Sequence, residues 1–188
     1  MFDKFFHRTP AEPELAPRPA PVVADPAGDT ATVRRIVAKL EAMPPDQARL
    51  LASAAYTLAR AANADLDISD EETAAIEREL QVNDALDEAT AILVTEMAKL
   101  QAKTMGGTED FVVTREFKAL ATDEQKLQVL RACFAIGAAN GTISAEETAV
   151  VNEIAEELDI DDATLNAIRA DYHEQLSSVQ AIRRISGG

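Results

Sequence analysis

Acidic side chains recur at two places in the sequence with a spacing that suits cation binding. Residues 64–76 read ADLDISDEETAAI, and residues 139–151 read ANGTISAEETAVV. Carboxylate oxygens are the ligands that hard divalent cations such as Ca²⁺ and Mg²⁺ prefer. If the two segments met, they could form one shared acidic site, with water completing the coordination shell. The candidate ligands are Asp65, Asp67, Glu71, Glu72, Glu146 and Glu147.

The same segments also have a purely structural interpretation as helix N-termini. Ser69 and Ser144 can each cap a helix, and Glu72 and Glu147 lie three residues later, where they complete a capping box. Acids in the first turn are favoured by the helix dipole, whose positive end opposes a cation. A calcium-sensor loop does not fit, because counting back from Glu147 puts Ile136 at the first ligand position. Capping and cation binding both remain open at this point.

The two acidic segments belong to an internal repeat. They match without a gap at a displacement of 75 positions, from residue 64 to residue 139. The same displacement superposes the apolar face upstream, Ala55, Leu58, Ala59 and Ala62, on Leu130, Cys133, Phe134 and Gly137. The pattern predicts a duplicated helix, loop, helix unit. Two such units with apolar stripes are expected to pack about a pseudo-twofold axis.

Helical periodicity runs through the body of the chain. Apolar residues recur at helical spacing from Asp29 onward, and no segment alternates as a strand does. We therefore predict an all-α helical bundle. After a first helix ended by Pro44, the predicted helix starts are Asp46, Ser69, Asp84, Thr108, Thr122, Ser144 and Asp161, with the last helix ending near Ser177.

The N-terminal segment differs from the body. Six prolines between Thr9 and Asp29 predict an extended, disordered linker. Before it, Phe2, Phe5 and Phe6 fall at i, i+3 and i+4 and form a candidate docking tip for a membrane surface or a partner. The predicted domains are residues 1–28 for tip and linker, 29–178 for the helical domain and 179–188 for a C-terminal tail.

Composition narrows the function classes. The formal net charge of −15 disfavours nucleic acid as a partner, because the average surface repels phosphate backbones. A single cysteine, Cys133, and no secretory signal pattern predict a cytoplasmic protein with Cys133 in its core. His7 and His173 have no motif partner, and no nucleophile elbow, phosphate loop or metalloprotease helix is present. We predict a protein that is not an enzyme.

The repeated unit A-[DN]-[GL]-x-I-S-x-E-E-T, in an acidic helical chain, resembles the tellurite-resistance TerB family over roughly residues 29–177. The resemblance implies an all-helical bundle with internal pseudosymmetry and an acidic cluster proposed to bind metal. It also implies a role in tellurite or related chemical stress beside a TerC-type integral membrane protein. The expected function is thus a non-enzymatic accessory or sensor module, with peripheral contact to the inner face of the membrane through the Phe tip. The alternative is a metal-independent interaction scaffold, like the chaperone-type TerB modules but without a J domain.

By this resemblance, Asp65, Glu72, Asn140 and Glu147 occupy the acidic motif positions of the family. Two residues depart from the motif, because Leu66 replaces the usual glycine of the first unit and Asn140 replaces the usual aspartate of the second. A calcium or magnesium ion bound at these junctions would therefore have a lopsided and weaker site.

Overall fold

The computed structural model describes residues 26–83, 86–104 and 108–186. Within these ranges the secondary structure is helical, and the only β pairing is an isolated bridge between Ile143 and Leu176. The helices are α1 Pro26–Glu41, α2 Pro45–Ala62, α3 Asp70–Asn83, α4 Glu88–Thr104, α5 Thr108–Leu120, α6 Asp123–Gly137, α7 Ala145–Glu157, α8 Asp162–Asp171 and α9 Ser177–Ser186. The all-α prediction is confirmed. The Phe tip, the predicted linker up to residue 25 and Asp84 lie outside the described residues.

The helical body begins within α1. The chain divides into two compact units after Arg35, and the second unit, residues 36–188, contains both repeats. In this unit α2 is central and packs against α3, α4, α5, α6 and α7. The domain limits expected at residues 28 and 178 stay predictions.

The duplicated apolar face forms the centre of the core. Its members in α2 and α6 are all buried, and Ala59, Leu130 and Phe134 have no exposed surface. Burial of this kind contributes about 25 cal/mol per Å² of apolar surface, so the repeat contributes to the stability of the body. The predicted core position of Cys133 is confirmed, since it is 1% exposed.

Three of the predicted helix starts are confirmed by their caps, whereas the start predicted at Asp84 is wrong, because α4 begins at Glu88 and Asp87 accepts from the Thr90 N–H. Thr122 and Gln125 form a capping box at α6, Ser144 and Glu147 form one at α7, and Asp161 caps α8. The cap predicted at Asp46 is wrong. Pro44 holds that position without a side-chain hydrogen bond, and Asp46 lies inside the first turn. Pro45 follows at the first helical position, which proline favours because its fixed φ suits the start of a helix and its missing N–H would have no helical partner there.

The end of the last predicted helix is also wrong. Instead of running to about Ser177, α8 ends at Asp171, and a 3₁₀ turn over His173–Gln175 leads to Leu176 in an extended conformation (φ −62°, ψ 124°). Leu176 is extended because its neighbours pair with the second repeat: the Ile143 N–H donates to the Gln175 carbonyl at 2.8 Å. The segment expected as a tail then forms most of α9.

Candidate functional site

The glutamates of the two repeats occupy equivalent positions at the starts of α3 and α7. The backbone N–H of Ser69 donates to Glu72 Oε2 at 2.7 Å, and the N–H of Ser144 donates to Glu147 Oε2 at the same distance. In return each serine hydroxyl accepts from the glutamate N–H, at 3.2 Å in α3 and 3.0 Å in α7. The capping prediction is confirmed for both repeats. Helix capping, however, uses only one oxygen of each carboxyl group.

The carboxyl groups of Glu72 and Glu147 are buried neighbours at the contact between the repeats. Glu72 and Glu147 are each only 2% exposed, although carboxylates are rarely buried unless paired. Within the described part of the chain, Glu147 Oε1 is fully buried and has no hydrogen-bond partner. Space for it comes from Gly137, where a Cβ atom would lie 3.1 Å from this oxygen. We call Glu72 and Glu147 the cross-repeat pair.

The surroundings of the cross-repeat pair disfavour two negative charges. Burial raises the pKa of the Glu147 carboxyl to about 7, and the nearby carboxyl group of Glu72, with which it can share a proton, adds to this rise. The protonated form of Glu147 is therefore favoured to a higher pH than that of an ordinary glutamate. A buried carboxylate oxygen without a donor costs free energy that either a proton or a cation can recover.

The asymmetry of the site follows from one difference between the repeats. Asn140 of the second repeat reaches the first, and its Nδ2 lies 3.5 Å from Glu72 Oε1, at the outer limit of a hydrogen bond. The equivalent residue of the first repeat is Asp65, whose side chain, unlike that of asparagine, has no N–H to donate to Glu147. Asp65 is exposed and accepts instead from the Asp67 N–H at 3.1 Å.

Asn140, which occupies a motif position of the family, joins the six candidate ligands as a seventh. The structure brings together three of these seven residues, Glu72, Glu147 and Asn140. The other four, Asp65, Asp67, Glu71 and Glu146, are exposed. No group of three or more His, Cys, Asp or Glu side chains arranged to hold a metal occurs in residues 26–83, 86–104 and 108–186. Two carboxyl groups match in number the one or two carboxylates that Mg²⁺ usually takes beside several waters. They do not provide the six to eight oxygens that Ca²⁺ takes.

Backbone strain marks the first of the two repeat junctions. Leu66 has a φ of 68°, and its equivalent in the second repeat, Gly141, has a φ of 93°. Both junctions thus turn through the left-handed region, which glycine adopts readily and leucine does not. The departure from the family motif at Leu66 keeps the shape of the junction and adds strain to it.

A buried ionic network around Arg60 of α2 was not predicted from the sequence. Arg60 is 8% exposed and donates to Glu157 in α7 at 2.7 Å and to Thr114 in α5 at 3.1 Å. Nearby, the Tyr56 hydroxyl donates to Asp110 at 2.6 Å, and burial together with this hydrogen bond raises the pKa of Tyr56. The one sequence feature that could have indicated this network is the arginine within the apolar stretch YTLARAA, because a buried charge needs partners of opposite charge.

The remaining reactive side chains do not form a second site. Burial raises the pKa of the Cys133 thiol to about 12, so the thiolate that nucleophilic work requires is absent near neutral pH. His173 is exposed at the start of the 3₁₀ turn, and His7 lies outside the described residues. None of the helices described is both long and apolar enough to span a membrane.

Comparison with known proteins agrees with the duplicated fold. The family model for "Tellurite resistance protein TerB" matches residues 50–170, which is more than half of the chain and includes both repeats. No curated protein and no solved structure matched the chain. The matched region runs from α2 to α8 and contains the cross-repeat pair. The chain therefore belongs to the TerB family of tellurite-resistance proteins.

Proposed function

We propose that this chain is a non-enzymatic binding module for the response to tellurite or related chemical stress, with a divalent cation bound at the cross-repeat pair tuning its stability. The observation that carries the proposal is the buried, unpartnered Glu147 Oε1 facing a second buried carboxyl group. A cation between the two groups would supply a positive charge that none of the described side chains supplies there. Mg²⁺ or Mn²⁺ suits two carboxylates and several waters better than Ca²⁺ does.

The cation would act by joining the two repeats. Glu72 begins α3 and Glu147 begins α7, so an ion held by both would fix the distance between two helix starts. The same ion would remove the repulsion between two buried carboxylates, which opposes their packing in its absence. Cation binding at this place would therefore appear first as a change in the stability of the whole body.

The partner in this proposal is membrane-associated, in keeping with the TerC-type protein implied by the family. A net charge of −15 favours association with basic protein surfaces. The Phe tip would add a second contact on a tether, which raises avidity without a tight contact of its own. This arrangement would place a cytoplasmic protein at the inner face of the membrane.

A metal-independent scaffold is the second candidate function. It is favoured by the exposure of Asp65, Asp67, Glu71 and Glu146, which leaves only two carboxylates in the buried site. In that case a shared proton satisfies the cross-repeat pair, and the capping boxes account for both glutamates. The two candidates differ in whether an ion stabilises the fold.

Thermal unfolding with and without divalent ions separates the two candidates. Chelator-treated protein is melted at pH 7.5 with Mg²⁺, Mn²⁺, Ca²⁺ or Zn²⁺, and compared with the variant E72Q/E147Q. Glutamine can keep the capping boxes while removing both charges. The matched control is E71Q/E146Q, which makes the same charge change at the exposed neighbours.

We expect a saturable rise in Tm for the wild type and for E71Q/E146Q, and none for E72Q/E147Q. At an ion concentration a hundred times Kd, one site adds about 2.7 kcal/mol to the free energy of unfolding. No rise with any ion would leave the metal-independent scaffold. An equal rise in all three proteins would reduce the effect to screening of surface charge.

A further inference from the structure

The junction of the second repeat is covered by the C-terminal segment of the chain. Ile143 and Leu176 form a parallel bridge, in which the Ser177 N–H donates to the Ile143 carbonyl at 2.9 Å. From the first turn of α9, Gln180 Nε2 donates to the Gly141 carbonyl at 3.1 Å, and its Oε1 accepts from the Thr142 hydroxyl at 3.1 Å. An extended residue followed by a helix thus satisfies the backbone of this junction.

No described segment pairs in this way with the equivalent junction of the first repeat. Ile68 corresponds to Ile143, and neither its N–H nor its carbonyl has a hydrogen-bond partner among the described residues. Ile68 as a whole is 9% exposed, and its side chain packs in the core, which anchors the junction. Leu66, the counterpart of Gly141, is 83% exposed. The backbone atoms that bind the C-terminal segment in the second repeat are therefore unpaired in the first, as far as the described residues go.

The two junctions also differ in charge. Asp67 and Asp70 of the first repeat stand where the second repeat has Thr142 and Ala145, and Asp65 stands where it has Asn140. These three aspartates are exposed, and none has an ion-pair partner within the described ranges. The covered junction is thus nearly neutral, whereas the open junction carries a concentration of negative charge.

We propose that the open junction at Leu66–Ser69 binds a basic segment of a partner protein, which pairs with the Ile68 backbone in the way that Leu176 pairs with Ile143. The segment would be extended for two or three residues and would continue as a helix, as the chain does from Gln175 into α9. Backbone pairing would give the register, and the aspartates would select basic side chains over the neutral or acidic ones. This inference deepens the proposed partner-binding role, on which it rests, and does not depend on a bound cation.

The C-terminal segment supplies a probe of known backbone geometry. We would use a synthetic peptide with residues 173–186 that carries E174K, which makes it more basic, and titrate it into the ¹⁵N-labelled full chain at low ionic strength. A second peptide that also carries S177P has no N–H at the position that would donate to the Ile68 carbonyl. Comparing the two peptides isolates the backbone pairing from charge attraction.

Two protein variants test the charge. The change D67T/D70A gives the first junction the residues of the second, and E146Q/D162N removes two exposed acids elsewhere as the matched control. We expect saturable shifts of the Leu66–Ser69 amides, loss of binding with the S177P peptide, and binding about tenfold weaker to D67T/D70A but not to the control. Before any peptide is added, the Ile68 amide should exchange with solvent much faster than the Ile143 amide.

Three results would overturn the proposal. The first is equal protection of the Ile68 and Ile143 amides, which would mean that the open junction is already paired. The second is equal binding of the S177P peptide, or no saturable binding. The third is a set of shifts at residues 141–143, because the peptide would then be replacing α9 in its own place. Each is separate from the ion-dependent melting that tests the proposed function.

Discussion

Replacing Glu147 by glutamine should stabilise the protein near neutral pH, although the change removes a residue from a capping box. The carboxyl group is buried against Glu72, and its Oε1 has no donor in the described structure. In E147Q the amide oxygen can still accept from the Ser144 N–H, and the amide nitrogen can donate to Glu72. The substitution therefore keeps the cap and supplies the missing donor.

The size of the effect follows from the pKa of Glu147. This pKa rises from an ordinary value of 4.5 to about 7 in the folded chain, so the folded state binds the proton more tightly than the unfolded state does. Glu147 thus contributes most to stability below pH 4.5, and the contribution is lost as the pH rises through 7. A shift of this size corresponds to about 3 kcal/mol between the two limits.

Urea unfolding from pH 5 to pH 8 in chelator measures this contribution directly. We expect the difference in unfolding free energy between E147Q and the wild type to grow by about 3 kcal/mol across this range, in favour of E147Q. The control E146Q changes the neighbouring exposed acid and should show a flat difference. If the difference between E147Q and the wild type is also flat, Glu147 is not buried beside Glu72 and the description of the site is wrong.

Other substitutions test separate parts of the structure. Leu66→Gly should stabilise the chain by about 1 kcal/mol in urea unfolding, because glycine relieves the positive φ and little buried surface is lost. Arg60→Ala should destabilise it by about 3 kcal/mol in the same assay, since it leaves the partly buried Glu157 without its cation. The Cys133 thiol should react with a thiol reagent only as fast as the protein unfolds. The rate of labelling, measured in quenched samples at increasing urea concentration, should therefore follow the rate of unfolding. Deleting residues 1–8 should reduce recovery in the membrane fraction if the Phe tip docks there; unchanged fractionation would contradict that role.

The sequence predicts those parts of the fold that depend on local pattern. The capping boxes at Ser144 and Thr122 were identifiable because the partners lie three residues apart. The repeat identified the core, because Leu130 and Phe134 occupy the positions that Ala55 and Ala59 occupy in the first unit. The repeat also indicated that the two acidic junctions are equivalent parts of the duplicated unit.

Long-range contacts were beyond prediction from the sequence. Arg60 and Glu157 are 97 residues apart, and no local pattern connects them. The break at Leu176 depends on pairing with Ile143 far earlier in the chain, so helical periodicity alone predicted a helix that continues. The exposure of Asp67 and Glu71 likewise follows from how the helices pack, since both residues share a segment with the buried Glu72.

The most direct test of the cross-repeat pair is a pH titration of the Glu147 side-chain carboxyl, followed by ¹³C NMR with and without Mg²⁺. We expect a midpoint near 7 in the absence of the ion, and a lower midpoint when Mg²⁺ competes with the proton. A midpoint near the ordinary 4.5 in ion-free protein would contradict the buried pair. A midpoint near 7 that does not respond to Mg²⁺, Mn²⁺, Ca²⁺ or Zn²⁺ would contradict cation binding and leave the proton as the partner of this site.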